Sequence, residues 1–346
     1  FDGAGTTVTT GNITVNGSQV LTSGTNYFWI AYDMNNASAT TGNVVDGQCT
    51  SMTVGGTART PTTTNPAGSR SIIACAGAPG GVTSGLSVWY KADNTSSIVT
   101  GTGVATWNSS AGSAGTFPVS QGTGTQQPAT INGATSPKLF NYNPRLDFVA
   151  ASNTFLSNTN TSPDLMTSSG SYFIISDFSV DNFTGLCYTA NLSTYRHQFK
   201  PGFRSQSSDG SLNGWTFDWT APTEYTNLSA SMTSSTGSGA THAVSKNSLP
   251  LIASNSNDPV YTPAISTGLY IGRNGNGGED TDANIAEIVL YSTTPTAVNK
   301  NKIESYLALK YGITRGGNTG TAATYNYLSS AGTTIWDKTA NTGFNR

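Results

Sequence analysis

Charge is scarce in this chain. Of 346 residues only 10% are Asp, Glu, Lys or Arg, with 18 acidic against 16 basic. No basic stripe exists to track a phosphate backbone, and no polybasic amphipathic segment to lie on anionic lipid, so neither nucleic-acid binding nor membrane insertion is expected. Apolar runs are short as well, and none reaches the eighteen or so residues that a spanning helix requires. Cysteine numbers three, with no C-x-x-C and no Cys/His cluster, which removes the usual zinc patterns. The two histidines, His197 and His242, have no neighbouring sequence that marks a nucleophile. Glutamate is rarer than aspartate: Glu224, Glu279, Glu287 and Glu304 are the whole set. A sandwich-type glycosidase places two carboxylates on one strand, about 5 Å apart across a cleft. No glutamate here stands two or four residues from another carboxylate within a clear strand, so the expectation is a protein without catalytic residues.

What the chain has in abundance is Gly, at 39 residues, with Thr, Ser and Asn filling the exposed positions. Strand signals recur every eight to fifteen residues with Gly, Asn and Ser turns between them, the rhythm of an all-β sandwich. Asn12 to Val15, Tyr27 to Tyr32, Cys49 to Val54 and Ser71 to Cys75 read as strands of a first module. Leu86 to Tyr90, Tyr172 to Phe178, Gly214 to Trp219, Leu269 to Gly272 and Ile285 to Tyr291 read as strands of a second. One helix stands out. Thr294-Pro295 reads as a cap followed by proline at the first helical position; Ile303, Tyr306, Leu307, Lys310 and Tyr311 then form one stripe, and Gly312 falls where a left-handed C-terminal cap belongs. The first residue is Phe1, which suits a processed export product or a fragment of a larger protein.

The segment Ile285 to Ile313, with its strand and helix, closely resembles the C-terminal end of concanavalin A-like (laminin-G-like) jelly-roll modules in large secreted surface proteins of Bacteroidetes-type bacteria. Gly85-Leu86-Ser87-Val88-Trp89-Tyr90-Lys91-Ala92-Asp93, the turn at Ala105-Thr106-Trp107-Asn108, the N-P-x-L-x-F strand within Asn141 to Phe148, and Tyr270-Ile271-Gly272-Arg273 carry the same likeness. A second resemblance covers the first quarter. Gly24 to Asp33, Gly42-Asn43-Val44-Val45-Asp46 and Pro66-Ala67-Gly68-Ser69-Arg70 are similar to a small β-sandwich accessory module of bacterial sialidases with repeated Asp-boxes. The sialidase's own S-x-D-x-G-x-x-W boxes are absent: Ser207-Ser208-Asp209-Gly210-Ser211 has serine where the glycine should stand, so no catalytic role transfers. The expected organisation is therefore a small Ig-like sandwich over 1–76, a linker over 77–84, and a concanavalin A-like jelly roll with one C-terminal helix over 85–314. Residues 315–346 would open a further region or an extended tail.

Four candidate sites follow from residue chemistry. Trp215, Phe217 and Trp219 alternate along one strand and so share a face, as sugar-stacking rings do, or else they belong to the sandwich core; Tyr195 and Arg196 offer a polar rim. Asn276, Glu279, Asp280 and Asp282 supply hard oxygens on a glycine loop, suited to calcium, with a plain solvated turn as the other reading and no other cofactor indicated. Cys49 and Cys75 can be read as a disulfide or as two thiols. Thr6, Val8, Ile13 and Val15 form an extended segment able to pair with an exposed sheet edge of a neighbour. Together these lead to an extracellular, surface-located, non-catalytic protein, structural or adhesive and self-associating. A carbohydrate-binding module is the alternative, with a glycoside hydrolase behind it; the partners are copies of itself, other surface proteins or glycans.

Overall fold

The computed structural model describes residues 14, 23, 40, 43–65, 69–71, 77–132, 140–159, 165, 169–178, 188–189, 195–198, 204–207, 231–238, 241–250, 269–273, 280–317 and 321–340. The chain divides into two compact units, Phe1–Ala74 and Cys75–Arg346.

In the smaller unit, β1 (Val44–Val45) pairs antiparallel with β4 (Arg70–Ser71), and β2 (Met52–Val54) with β3 (Thr57–Arg59). Gly55 and Gly56 turn the β2–β3 hairpin with φ of 57° and 78°, the two positive values that a tight I′ turn requires. Of the strands read from sequence, Cys49 to Val54 is shortened to β2, and Asn12 to Val15, Thr14 excepted, and Tyr27 to Tyr32 lie outside the described residues. Cys49 is a free thiol whose Sγ donates to the Ser51 carbonyl at 3.6 Å. Cys75, the other half of the disulfide that the sequence left open, lies outside the described residues.

The larger unit is an all-β sandwich with one helix. Its strands run β5 (Leu86–Lys91), β6 (Ile98–Thr100), β7 (Val104–Trp107), β8 (Val119–Ser120), β9 (Ala129–Ile131), β10 (Arg145–Phe148), β11 (Leu156–Asn158), β12 (Ser171–Phe178) and β13 (Tyr188–Thr189). They continue as β14 (Tyr195–Gln198), β15 (Arg204–Ser207), β16 (Ser231–Ser238), β17 (Thr241–Lys246), β18 (Leu249–Pro250), β19 (Leu269–Ile271) and β20 (Ala283–Tyr291). The helix α1 (Ala297–Tyr311) and a hairpin of β21 (Tyr327–Leu328) with β22 (Thr334–Trp336) complete it. One sheet has the order β18-β17-β16-β12-β20-β10-β9, with β5 also paired to β20; the other has the order β13-β19-β11-β8-β7-β6. All named pairings are antiparallel.

Strand β20 is central because alternate residues serve two cores. Ile285, Ile288 and Leu290 join Val88, Tyr90, Leu146, Phe148, Trp107 and Leu156 between the sheets. Val289 and Tyr291 face the other way, with Trp89, Phe173 and Ile175, onto Ile303, Leu307, Ala308 and Tyr311 of α1. The late Ile271-Gly272-Arg273 motif has a packing cause: at Gly272, φ is 87° and a Cβ would lie 2.2 Å from Phe148.

The helix stripe falls as read, with Ile303, Leu307 and Tyr311 buried and Gly312 closing α1 at φ 65°. Its cap is two residues later than the sequence suggests. Thr294 Oγ1 donates to the Ser169 carbonyl at 2.6 Å, so Thr296 Oγ1 accepts the Asn299 N–H instead. Packing also runs through the segments read as a linker and a following region. Ala78 and Val82 are buried under α1, and at Gly80 a Cβ would lie 2.4 Å from the Lys302 carbonyl oxygen. At the other end, Leu328 N–H donates to Ser305 Oγ at 2.9 Å and Tyr327 packs on the α1 core, so both segments belong to the larger unit.

Candidate functional site

Three polar constellations are built on this frame, all involving the larger sheet. The first centres on Glu287, wholly buried at a bulge where Ile175 pairs with Glu287 and Ser176 with Ile285, leaving Ala286 over. Trp89 Nε1–H donates to Glu287 Oε1 at 2.5 Å, while Lys310 Nζ at 2.8 Å and Tyr311 O–H at 2.7 Å donate to Oε2. Lys310 Nζ also meets Asp93 Oδ2 at 3.0 Å. Burial pulls the Lys310 ammonium down, but the carboxylates of Glu287 and Asp93 outweigh it and the net direction is up. Burial first, then the Glu287 charge, pushes the Tyr311 phenol well above its ordinary range. Both oxygens of Glu287 are thus occupied by donors on β5 and α1. A carboxylate held this way fixes the helix to the sheet, and its side chain has no exposed surface.

The second constellation is a buried arginine. Arg315 Nη2 pairs with Glu304 Oε2 at 3.0 Å; Nε donates to Ser248 Oγ at 3.1 Å and Nη1 to Asn301 Oδ1 at 2.6 Å, and the carbonyls of Asn326 and Thr324 accept from the same guanidinium. Glu304 Oε1 accepts from Ser234 Oγ at 3.0 Å. Helix, sheet and C-terminal hairpin meet on one ion pair, with the fork's donors satisfied.

The third lies on the helix-side face of the sheet, three residues along β20 from Glu287, where β10, β20 and β12 pair. Leu146 and Phe148 point into the inter-sheet core, as do Ala283 and Ile285, so Asp147 and Asn284 project from the opposite face. Asp147 stands directly across from Asn284, and Asn284 directly across from Asp177. Directly opposed residues share a face, which places Asp147, Asn284 and Asp177 in one row over β10, β20 and β12. Arg145, two residues before Asp147, is on the same face, with its guanidinium 5.3 Å from the Phe140 ring. It is 4% exposed and its buried Nε has no hydrogen-bond partner; Asn284 Oδ1 is likewise unpartnered. Burial lowers the Arg145 pKa, and the charges of Asp147 and Asp177 oppose that shift.

None of the residues singled out from sequence falls in this row. Trp215, Phe217, Trp219, Asn276, Glu279, Thr6, Val8, Ile13 and Val15 lie outside the described residues. Tyr195 and Arg196 stand on β14, paired with Ser207 and Gln206 of β15. Asp280 forms an ion pair with Arg273 at 3.2 Å that is not aligned as a hydrogen bond, and burial outweighs that arginine to raise its pKa. Asp282 Oδ1 accepts the Ala150 N–H at 2.8 Å. The two described carboxylates of the expected calcium loop are therefore engaged by protein groups. Among the described residues no three His, Cys, Asp or Glu side chains gather as a metal site. Among them, too, no helix is long and apolar enough to cross a membrane, which leaves strand-built crossings aside. The polar row was missed because its signal, a polar residue between two apolar ones in a strand, is shared by every half-exposed strand.

Residues 299–346 match a family model described as a domain of unknown function (DUF8202), a match that covers α1 from its first turn and the C-terminal hairpin but less than half of the chain. No curated protein sequence matches. Among solved structures, the chain is similar to domain 4 of AbnA, a GH43 extracellular arabinanase from Geobacillus stearothermophilus, in complex with arabinotriose. The identity is 14%, over 66% of this chain and 100% of that one, with a TM-score of 0.41. It is similar to Trypanosoma rangeli sialidase in complex with the inhibitor DANA, at 13% identity over 65% of this chain and 33% of that one, TM-score 0.38. The binding domain of Paraclostridial Mosquitocidal Protein 1 is 9% identical over 66% of this chain and 55% of that one, TM-score 0.42. The likeness is one of β-sandwich architecture. The chain spans a third of the sialidase's length.

Proposed function

We propose that this chain is a non-catalytic extracellular module of a bacterial surface protein, structural or adhesive in role, which associates with copies of itself or with other surface proteins. The observation that carries this reading is the use made of its glutamates. Glu287 and Glu304, the two that lie among the described residues, are buried in ion pairs that fasten α1 and the C-terminal hairpin to the sheet. Both described glutamates, which a hydrolase would aim into a cleft, are committed to architecture. A rigid unit with a neutral, hydroxyl-rich skin suits repeated packing in a fibre, where net charge would repel. Adhesion to glycans is the alternative role.

Light scattering of the purified chain, with negative-stain electron microscopy of the same material, tests the proposal. Regular filaments or defined oligomers are expected at high protein concentration. A discrete monomer at every concentration would overturn self-association.

A further inference from the structure

We propose that Lys310 and Asp93 join in a covalent isopeptide bond, an amide between Lys310 Nζ and Asp93 Cγ, with Glu287 carrying the protons. The inference goes beyond the surface-protein reading and does not depend on self-association.

The reactants are held in contact before any reaction. Lys310 Nζ lies 3.0 Å from Asp93 Oδ2 and 2.8 Å from Glu287 Oε2, so one amine touches both carboxylates. Its backbone is pinned as well, because the Lys310 carbonyl accepts from Asn141 Nδ2 at 3.0 Å and from Asn143 Nδ2 at 2.8 Å. Asp93 follows directly on a residue tied to β20, where Ala92 N–H donates to the Ala286 carbonyl at 2.9 Å. Groups fixed against each other on rigid elements react as if at very high concentration, which removes much of the entropic barrier to condensation.

The two carboxylates are not equivalent, and the difference assigns their roles. Glu287 has no exposed surface, and Trp89 Nε1–H and Tyr311 O–H hold it by both oxygens. Gripped this way, it can take and return a proton without moving. Asp93 has Lys310 at Oδ2, but its buried Oδ1 meets no donor. A buried carboxylate oxygen without a donor is destabilising, so turning Asp93 into a neutral amide relieves a cost that Glu287 does not carry.

The step balances within the cluster. Burial works against the Lys310 ammonium, but the charges of Glu287 and Asp93 outweigh it and keep the proton on. One proton passes to Glu287 Oε2, and the freed lone pair of Nζ attacks Asp93 Cγ. The C–N bond forms and a C–O bond breaks. The proton on Glu287 and a second from Nζ leave with that oxygen as water, and Glu287 ends ionised as it began. No oxidant or activated co-reactant is consumed. Making an amine and an acid from an ion pair is uphill, so newly folded chain holds the ion pair and the amide accumulates slowly. Once formed, it ties β5 to α1 and constrains the unfolded chain as a disulfide would.

Intact mass spectrometry of the full chain tests this, with samples denatured just before injection and taken from first purification through several weeks in the folded state. A growing fraction lighter by one water molecule is expected. Its digest should contain a branched peptide joining Asp93 to Lys310, with no tryptic cleavage after Lys310, and aged chain should melt higher than fresh. Glu287→Gln and Asp93→Ala should keep the full sequence mass throughout. Native chain that keeps its full mass for several weeks would overturn the proposal, and that measurement decides even where a variant does not fold. So would a loss of water that survives Asp93→Ala, that arises equally in denatured chain, or that maps to a succinimide at Asp46-Gly47, where Gly47 N–H lies 2.8 Å from Asp46 Oδ1. A branched peptide in a chain that stays monomeric would sustain this inference and sink self-association; filaments of full-mass chain would do the reverse.

Discussion

Replacing Lys310 with Met tests whether the Glu287 centre holds the helix in place. The substitution keeps the apolar stem of the side chain and removes the ammonium that lies 2.8 Å from Glu287 Oε2 and 3.0 Å from Asp93 Oδ2. Glu287 is fully buried in its side chain and Lys310 only 14% exposed, so the pair is not of the exposed kind, worth about 0–1 kcal/mol. Removing one partner of a buried pair costs about 3–5 kcal/mol, because the other charge is left without its counter-ion. Here Glu287 would keep two donors, Trp89 Nε1–H and Tyr311 O–H, which puts the expected loss at the lower end, about 3 kcal/mol. For a unit of this size, at about 2–4 °C per kcal/mol, the melting temperature should fall by about 6–12 °C. Differential scanning calorimetry measures it. A second readout is pH. Lys310 has its pKa raised in the folded state, so its contribution is fully present below the ordinary lysine value of 10.5 and is lost as pH rises through the folded value. Tyr311, raised above 10.0 by burial and Glu287, acts with the same sign over the alkaline range. The native protein should therefore lose stability steeply above about pH 10, and Lys310→Met should flatten part of that slope. A fall of less than about 2 °C at neutral pH would refute the reasoning, since it would rate the pair as no better than a surface contact.

Arg315→Met removes the guanidinium that joins Glu304, Ser248 and the hairpin carbonyls, and should expose the chain after Thr314 to limited proteolysis before the sheet unfolds; unchanged protection would mean that the hairpin is held by packing alone. A chelator should shift the melting temperature by less than about 1 °C, because Asp280 and Asp282 are taken up by Arg273 and the Ala150 N–H; a fall of several degrees would restore the calcium reading of that loop.

Local signals in the sequence carried far in this chain, and cross-strand ones did not. The α1 stripe from Ile303 to Tyr311 and its Gly312 cap are legible because a helix writes its buried face at i, i+3 and i+4 within one segment. Strands β5, β12, β19 and β20 are legible for the corresponding reason, apolar runs bounded by turn residues. The N-cap was misplaced by two residues because threonine stands on both sides of Pro295: Thr296 takes the Asn299 N–H, and Thr294 donates to the carbonyl of Ser169, far away in sequence. Glu287 reads as a single polar interruption in an apolar strand, and nothing local tells that Trp89 and Lys310 will close on it. Arg315 looks like a solvated turn residue before two glycines, yet it is buried. The polar row needs the register of three strands distant in sequence, and register is set by the whole sheet rather than by any one of its strands.

The placement of charge explains why a weakly charged chain still specifies one arrangement. Among the described residues six of the charged groups are inside: Glu287, Glu304, Arg315, Arg145, Asp177 and Lys338 are all buried. Apolar residues of similar volume would hold α1 to the sheet about as strongly, since desolvation consumes most of what a buried pair gains. They would not discriminate between helix positions. Aliphatic contacts such as those of Leu307 in the core are non-directional, whereas Lys310 reaches both Glu287 and Asp93. Arg315 likewise satisfies its fork in only one setting of the hairpin against Glu304 and Ser248. The charges therefore fix the register of helix and hairpin on the sheet, while the aliphatic core supplies the bulk of the stability. A surface of Thr, Ser, Asn and Gly is then left free to meet other molecules without long-range repulsion.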